Sequence, residues 1–213
     1  MNKRLTEIFS ALPKCNTFAD IGCDHGYITQ AMLCGKKCER AIIADVSEKC
    51  LKKAQDLLSP FVKEGKVYSA VADGFDNLPP SDLALIAGMG GEEIVSIIKK
   101  AKFLPEKLVL QPMKNVDKVR LTAVQLGYRI IKDYIFFASG VYYDLIVLEK
   151  GEDNLSADEI EFGRTNIIER GKDFRDMIFA RLEKIKEYSK NPSLSQSAKE
   201  QMEEQIKKLE KYV

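Results

Sequence analysis

The sequence predicts an α/β fold with one doubly wound sheet, followed by a helical appendage. Short apolar runs of strand length alternate with helical patterns from residue 17 to about residue 127. The candidate strands of this series are Phe18–Ile21, Ala41–Ala44, Val67–Val71, Leu83–Ala87 and Leu108–Leu110. Parallel strands are joined by right-handed helical crossovers and are covered on both faces, so the series predicts a single sheet of five parallel strands.

The pattern changes after the fifth strand. Tyr128–Phe137 and Val141–Leu148 are two strand-like runs separated only by Ala138-Ser139-Gly140. A short connection that contains glycine suits a hairpin rather than a helical crossover. The parallel set is therefore expected to end in an antiparallel hairpin.

Residues 151–213 are expected to form a separate helical unit, so the predicted domains are residues 1–150 and residues 151–213. Gly151–Asn154 reads as a linker, and Ser156 with Glu159 is typical of a helix start. Two amphipathic helices separated by Asn191–Ser193 predict an antiparallel, coiled-coil-like hairpin. Two roles stay open for it: bracing the sheet, or binding substrate through the cationic side chains of Arg164, Arg170, Lys172 and Arg175.

Composition sets limits on the function. Apolar residues make up 45% and charged residues 31% of the 213 residues, which is ordinary for a globular protein. The net charge of +1 gives no general argument for a nucleic-acid partner. We expect no membrane span, because no long uncharged apolar stretch occurs. Five cysteines near the amino terminus and a single histidine favour a reducing cytoplasm without a metal site. A monomer is expected.

The sharpest motif lies where the first strand turns into the first crossover helix, at residues 18–27, FADIGCDHGY. Ligands of open α/β sheets bind at the carboxyl ends of the strands, and glycines there allow close approach to the backbone. A dinucleotide-binding turn requires glycine at position 24, but the chain has Asp24, whose charge would repel a pyrophosphate. An acidic turn suits a cationic cofactor instead, one with a sulfonium and an amino group. A purely structural turn is the alternative.

Acidic residues also follow the second and third strands. Asp45, next to Val46, stands at a strand tip, where a carboxylate can accept hydrogen bonds from both hydroxyls of a ribose. Its alternative role is a helix cap. Asp73 lies in Ala72-Asp73-Gly74, where it can accept from the exocyclic amine of adenine or simply form a turn.

The fourth and fifth candidate strands end in a glycine-rich segment and an amide. Residues 86–92 read IAGMGGE, and three glycines in four positions indicate either a close approach to the backbone or a tight turn into a helix. Gln111 precedes Pro112 at the end of the fifth strand, which places its amide near the same edge. This edge is where we expect the substrate.

These segments, in this order, resemble the bacterial TrmK-type tRNA methyltransferases, which methylate ring nitrogen 1 of adenine 22. The resemblance covers essentially the whole chain and rests on Arg4-Leu5, residues 20–27, Ala72–Gly74, residues 86–91, Gln111-Pro112 and Tyr143-Asp144. It implies a Rossmann-like class I methyltransferase sheet, S-adenosyl-L-methionine as cofactor and tRNA as partner. The chain is short in its C-terminal part for this family, and it lacks the Asn/Asp-Pro-Pro-Tyr motif of enzymes that methylate exocyclic amines.

The motifs and the resemblance together give a set of expected site residues. The residues expected to act in catalysis are Asp24, His25 and Gln111. Those expected to bind the cofactor are Asp20, Gly22, Gly26, Tyr27, Asp45, Val46, Ala72, Asp73, Gly74 and Gly88. A methyltransferase of the same fold acting on a small molecule or a protein is the alternative function, and an inactive cofactor-binding scaffold is another.

Overall fold

A computed structural model describes all residues, 1–213. Its strands are β1 (Thr17–Ile21), β2 (Arg40–Asp45), β3 (Val67–Val71), β4 (Leu83–Met89), β5 (Lys107–Pro112), β6 (Tyr128–Ala138) and β7 (Val141–Lys150). Its helices are α1 (Lys3–Ala11), α2 (Tyr27–Cys34), α3 (Glu48–Leu57), α4 (Ser59–Lys63), α5 (Gly91–Lys100), α6 (Val116–Gln125), α7 (Ala157–Phe162), α8 (Arg164–Glu169), α9 (Lys172–Ser189) and α10 (Gln196–Glu210).

The seven strands form one sheet in the order β3-β2-β1-β4-β5-β7-β6. The first five strands are parallel, and β7 runs antiparallel to both β5 and β6. β1, the middle one of the five parallel strands, pairs with β2 on one side and β4 on the other, so that Phe18 stands between Ala41 and Leu83. From β1 the chain builds the sheet first toward β2 and β3 and then, after a crossover, toward β4 and β5 on the other side. A ligand crevice is expected at the carboxyl ends of β1 and β4, where this direction changes.

Alternating side chains of the strands supply two apolar layers, one on each face of the sheet. Phe18 and Ile43 face the layer formed with α1, α2 and α3, whereas Ala19 and Ile42 face the layer formed with α5 and α6. This double cover explains why the strands read as continuous apolar runs rather than as alternating patterns.

The predicted fold class is confirmed, because all five parallel strands and the final hairpin occur where the sequence places them. Three strands, β4, β5 and β7, end two residues later than predicted. β4 continues to Met89 through an irregularity of register between Ala87 and Met89. Gly88 occupies this irregularity with a φ of 81°, a left-handed conformation that favours glycine.

The C-terminal region contains four helices, one more than the helix start at Ser156 and the two longer helices that the sequence predicts; the additional helix is α8. Ser156 and Glu159 form a reciprocal capping box at the start of α7, as their spacing indicates. The ring of Phe174 at the start of α9 lies 6.3 Å from that of Tyr212 beyond the end of α10, so these two helices are antiparallel. They enclose a small apolar cluster with Phe162 of α7.

A buried ionic network joins this region to the sheet. The Arg120 guanidinium on α6 donates through Nε to Asp133 on β6 (3.0 Å) and through Nη2 to Asp144 on β7 (2.9 Å). Its Nη1 donates to the carbonyls of Ile160 and Glu161 on α7, at 3.1 and 3.2 Å. Burial raises the pKa of Asp144 although Arg120 opposes the effect. One fully buried side chain thus connects four elements.

The outer edge of the sheet is covered by side chains from the C-terminal region. The backbone N–H of Asp133 on β6 donates to the Thr165 hydroxyl, and that of Ile135 donates to the Asn166 side chain. Further along the strand, the N–H of Phe137 donates to Asp173 at 2.8 Å. Because an exposed edge strand invites pairing with other chains, these contacts protect β6 from association.

Some of the cations expected to meet RNA in this region are engaged elsewhere. Arg164 forms ion pairs with Asp153 (2.8 Å) and Glu159 (2.6 Å), so its guanidinium has partners within the chain. Arg170 lies over the Tyr212 ring, and Lys172 pairs with Asp176 one turn further along α9. These contacts join the C-terminal helices to one another and to the segment after β7.

The structure contains no membrane-spanning helix, no disulfide and no cluster of metal ligands. None of the ten helices has the length and apolar character needed to cross a membrane. All five cysteines are free thiols. No group of three or more metal-ligating side chains occurs.

Replacing Arg120 tests the importance of the buried network. We expect Arg120→Ala to lower the free energy of unfolding by about 3–5 kcal/mol, because two buried carboxylates lose their cation. The measurement is urea denaturation followed by circular dichroism. Arg129→Ala, which removes an exposed pair with Glu149 on the same sheet, is the control and should change stability little. Equal effects of the two substitutions would contradict the role assigned to Arg120.

Candidate active site

A cleft with a volume of about 520 Å³ opens at the carboxyl ends of β1, β2 and β4, where the chain order reverses. Eleven of the thirteen predicted site residues line it: Asp20, Gly22, Asp24, His25, Tyr27, Asp45, Val46, Ala72, Asp73, Gly74 and Gly88. The remaining two, Gly26 and Gln111, lie behind its walls. The cleft therefore unites segments that are more than sixty residues apart in the chain.

The turn between β1 and α2 lines the cleft, and several of its residues have left-handed backbone conformations. Gly22 has a φ of 73° and Asp24 a φ of 43°. The Gly22 amide donates to the carbonyl of Ala44 on β2, at 2.8 Å, which fixes the start of the turn. A Cβ at position 22 would lie 2.0 Å from the terminal methyl of Met89, so a side chain there would push Met89 aside. Glycine is required at this position for conformation and for space.

Asp45 ties the tip of β2 to this turn. One carboxylate oxygen accepts a hydrogen bond from the Ser47 amide (2.8 Å), and the other accepts from the Asp24 amide (3.3 Å). The cap of α3 is Ser47, whose hydroxyl accepts from the Cys50 amide, so Asp45 is not the N-cap residue. Asp45 is only partly buried, and its carboxylate lies in the wall of the cleft.

Asp20 is the most buried carboxylate of the cleft. The Thr29 hydroxyl on α2 donates to its Oδ2 at 2.7 Å. Burial nevertheless raises the pKa of Asp20 to about 6, and the charge of Asp45 acts in the same direction. Its ionised form is therefore destabilised in the folded chain, and a positively charged ligand would stabilise it.

The only histidine of the chain is held by its neighbours at the mouth of the cleft. His25 Nδ1 lies 2.7 Å from Asp24 Oδ2, and the imidazole ring is nearly parallel to that of Tyr27, with the centroids 5.5 Å apart. The Tyr27 side chain is about half exposed. Together these residues present a polar and an aromatic surface to whatever enters the cleft.

The third acidic segment lies at the outer end of the cleft. The Asp73 carboxylate is largely exposed and lies 3.5 Å from the Lys100 ammonium on α5. A Cβ at Gly74 would lie 2.7 Å from the Ile97 side chain, so the glycine allows this loop to pack on α5. Val46 is 69% exposed, which leaves an apolar side chain at the rim between Asp45 and Asp73.

The two predicted residues outside the cleft have supporting contacts. Gln111 is completely buried and accepts a hydrogen bond from Arg4 Nε at 2.7 Å. A Cβ at Gly26 would lie 3.1 Å from that of Ala54, so this glycine lets α2 approach α3. These contacts place both residues one layer behind the surface that a ligand touches.

Sequence reasoning missed the wall formed by the first helix. Asn2, Arg4, Leu5 and Ile8 of this region line the cleft, together with Glu93 of α5. The amphipathic pattern of α1 indicates only that one face is buried. The sole signal was Arg4-Leu5 in the family resemblance, which gives no role for either side chain.

With this geometry in place, comparison with known proteins identifies the family. A family model described as a methyltransferase domain matches residues 1–146. The chain belongs to this methyltransferase family. The cleft at the switch between β1 and β4 is thus the cleft of a methyltransferase domain.

Individual relatives agree with the resemblance predicted from the motifs. The tRNA (adenine(22)-N(1))-methyltransferase of Bacillus subtilis is 26% identical over 165 residues, which cover 75% of this chain and 69% of that protein. Among solved structures, Sp1610 of Streptococcus pneumoniae has a TM-score of 0.91 at 23% identity and covers 100% of this chain and 99% of its own. TrmK of M. capricolum, solved with S-adenosyl-homocysteine, has a TM-score of 0.88 at 22% identity, with coverages of 100% and 97%. The predicted resemblance to TrmK-type enzymes is confirmed.

The raised pKa of Asp20 gives a testable effect of pH on stability. Its folded-state pKa of about 6 exceeds the ordinary value of 3.8, so the folded chain binds this proton more tightly than the unfolded chain. Stability is therefore lost as the pH rises from about 4 to about 6. The side chain of Asp20→Asn cannot ionise, so the variant does not lose this part of its stability as the pH rises. We therefore expect the unfolding free energy of the variant, relative to that of wild type, to increase by up to about 3 kcal/mol over this range.

Urea denaturation of both proteins at about pH 4 and pH 7 measures this difference, since most other titrating groups cancel between them. A difference that is the same at both pH values would contradict the destabilised ionised form of Asp20.

Proposed function

We propose that the chain is an S-adenosylmethionine-dependent methyltransferase that methylates ring nitrogen 1 of adenine 22 in tRNA. The observation that carries the proposal is the convergence of four aspartates on one cleft of a methyltransferase domain: Asp20, Asp24, Asp45 and Asp73. The name of the Bacillus subtilis relative supports the choice of nucleotide and atom. The cytoplasmic location follows from this proposal.

The side chains of the cleft fit S-adenosylmethionine. Its amino group and sulfonium are cationic and match Asp20 and Asp24, while Asp45 and Asp73 offer acceptors for ribose hydroxyls and the adenine amine. Gly22 and Gly88 let the side chains of Met89 and Arg4, which also line the cleft, lie close to the backbone of the strand tips. The complex of M. capricolum TrmK with S-adenosyl-homocysteine supports the same assignment. When bound, the cofactor supplies a methyl group on a positively charged sulfur.

The chemistry proposed for the chain's own residues is mainly positioning. Ring nitrogen 1 of adenine has an in-plane lone pair, so the target needs alignment and removal of water rather than a strong base. His25, fixed by Asp24, and the half-exposed Tyr27 are suited to orient a base at the mouth of the cleft. Asp24 also offers negative charge to an adenine that becomes cationic on methylation.

Two predicted site residues act indirectly in this proposal. Gln111 is buried beneath Arg4 and orients that guanidinium. Gly26 fixes the approach of α2 to α3 behind the turn. We therefore assign both to positioning rather than to contact with the reacting atoms.

For residues 151–213 we propose a bracing role. The side chains of Thr165, Asn166 and Asp173 occupy the backbone donors of β6, and the Arg120 network reaches the carbonyls of α7. These contacts run along the whole edge of the sheet. Binding of RNA by the outer helices is compatible with bracing, since α9 and α10 keep exposed faces.

Substitution of Asp45 tests the cofactor assignment. We expect Asp45→Ala to weaken binding of S-adenosylmethionine by about 1–3 kcal/mol, because hydroxyl donors of the ligand lose a partner and the turn loses its tether. Isothermal titration calorimetry measures the affinity. Asp56→Ala, which removes an exposed carboxylate of α3 outside the cleft, is the control and should bind normally. Unchanged affinity in the Asp45 variant would make the ribose assignment wrong.

The target atom is tested with unmodified tRNA and labelled S-adenosylmethionine. Digestion and mass spectrometry should show 1-methyladenosine, and replacing adenine 22 by guanine should abolish incorporation. Detection of 6-methyladenosine would refute the assignment to the ring nitrogen. Methylation of a small molecule or a protein, with none on tRNA, would support the alternative substrate classes instead.

A further inference from the structure

Arg4 is held in a defined orientation on the wall opposite the carboxylates. Its Nε donates to Gln111 Oε1 at 2.7 Å, and the Gln111 amide nitrogen donates in turn to the carbonyl of Pro112 at 3.0 Å. Because Gln111 is fully buried on β5, it is a rigid support. The guanidinium is therefore fixed along its Nε side, and its two Nη groups remain available.

Those two Nη groups have no partner within the chain. Arg4 forms no ion pair, and its one hydrogen bond is the bond to Gln111. The guanidinium stacks over the Tyr143 ring, with Cζ 5.5 Å from the ring centroid. Its half-buried setting lowers the pKa of Arg4, because burial disfavours the charged form. A cation held in this way gains from an anion that arrives with the ligand.

The backbone of β4 makes room for this arrangement. A Cβ at Gly88 would lie 2.7 Å from Arg4 Nη2, so the guanidinium lies directly over the strand tip. Arg4 is the only lysine or arginine among the residues that line the cleft. The four aspartates of the cleft lie at the ends of β1 and β2 or in the segments that follow β1 and β3, whereas Arg4 lies over the end of β4. A fifth carboxylate, Glu93, lines the cleft from the first turn of α5.

Space for a polynucleotide continues past Arg4. A second hollow, of about 520 Å³, lies between α1 and α2 and shares Asn2, Leu5 and Tyr27 with the cleft. A nucleotide that enters the cleft beside Tyr27 can therefore keep its backbone along α1. The phosphates are the only anions that such a chain brings.

We propose that Arg4 binds a phosphate of the RNA beside the target adenosine through its Nη1 and Nη2 groups, with Gln111 and Gly88 setting its position. The planar guanidinium offers two parallel donors that match two phosphate oxygens, which an ammonium does not. This inference rests on the proposed function, because it assumes an RNA substrate.

Three variants test it: Arg4→Gln, Arg4→Lys and, as a control with the same charge change on the exposed face of α1, Lys3→Gln. Binding of unmodified tRNA is measured by fluorescence anisotropy over a range of salt concentrations, methylation by kcat and KM, and cofactor affinity by calorimetry. Thermal unfolding checks the fold of each variant.

We expect Arg4→Gln to bind the cofactor within about threefold of wild type and to lose roughly 10- to 100-fold in kcat/KM for tRNA. For this variant, the slope of the logarithm of the tRNA binding constant against the logarithm of the salt concentration should be shallower by about 0.7–0.9, which is the contribution of one phosphate contact. Arg4→Lys should show the wild-type salt dependence of tRNA binding but only part of the wild-type activity, because lysine keeps the charge but lacks the two parallel donors of the guanidinium. Lys3→Gln should retain wild-type kcat/KM.

Several results would overturn the inference. Arg4→Gln with wild-type kcat/KM, or with reduced activity but an unchanged salt slope, excludes a phosphate contact. Loss of cofactor binding in that variant assigns Arg4 to the cofactor instead. Wild-type protein that binds tRNA with the expected salt response but does not methylate it overturns the proposed function alone, whereas wild-type protein that does not bind tRNA overturns both.

Discussion

The buried contact of Arg120 with Asp133 and Asp144 is the interaction on which the arrangement of the second half of the chain depends. It places an ionic network where α6, β6, β7 and α7 meet, and all three side chains are largely removed from water. Such a network is stabilising only when its hydrogen bonds are complete. Here the backbone carbonyls of α7 and the Thr165 amide complete it, so the C-terminal helices and the hairpin depend on each other. Because β7 pairs with β5, the same network also supports the strand that holds Gln111 and, through it, Arg4.

The cleft is built from features that lower stability. Asp20 is buried with a raised pKa, Gly22 and Gly88 have left-handed backbones, and Asp24 adopts a positive φ despite its side chain. The buried carboxylate of Asp20 and the positive φ of Asp24 each have a cost in the folded chain, and both keep negative charge at the strand tips. The two glycines allow backbone conformations there that other residues rarely adopt. The well-packed layers on both faces of the sheet offset that cost. This division explains why the core and the site lie on the same strands: the middles of the strands pack and their carboxyl ends bind.

The parts of the fold that follow from local patterns could be predicted from the sequence. Apolar runs such as Phe18–Ile21 and the Ala138–Gly140 connection specify strands and a hairpin through neighbouring residues alone, and the acidic residues after β1, β2 and β3 share an edge because parallel strands do. The docking of α8 could not be predicted, since it depends on side chains that meet β6 donors across more than thirty residues. Arg4 escaped prediction for a similar reason. Its role depends on Gln111, 107 positions away, and on the absence of a Cβ at Gly88.

The distribution of charge in the cleft restricts how an RNA substrate can approach. The net charge of +1 provides little general attraction for a polyanion, and the carboxylates after β1, β2 and β3 repel phosphates from that side. Arg4, at the side of α1 and the end of β4, is the only lysine or arginine among the residues that line the cleft, so in the proposed function it is the group that attracts the RNA backbone. A base turned into the cleft from that side reaches the region between Tyr27 and Gly88, while its phosphate remains outside the acidic wall. In the proposed function the aspartates thus serve both partners in opposite ways, since the charges that suit a cationic cofactor also direct an anionic substrate toward Arg4.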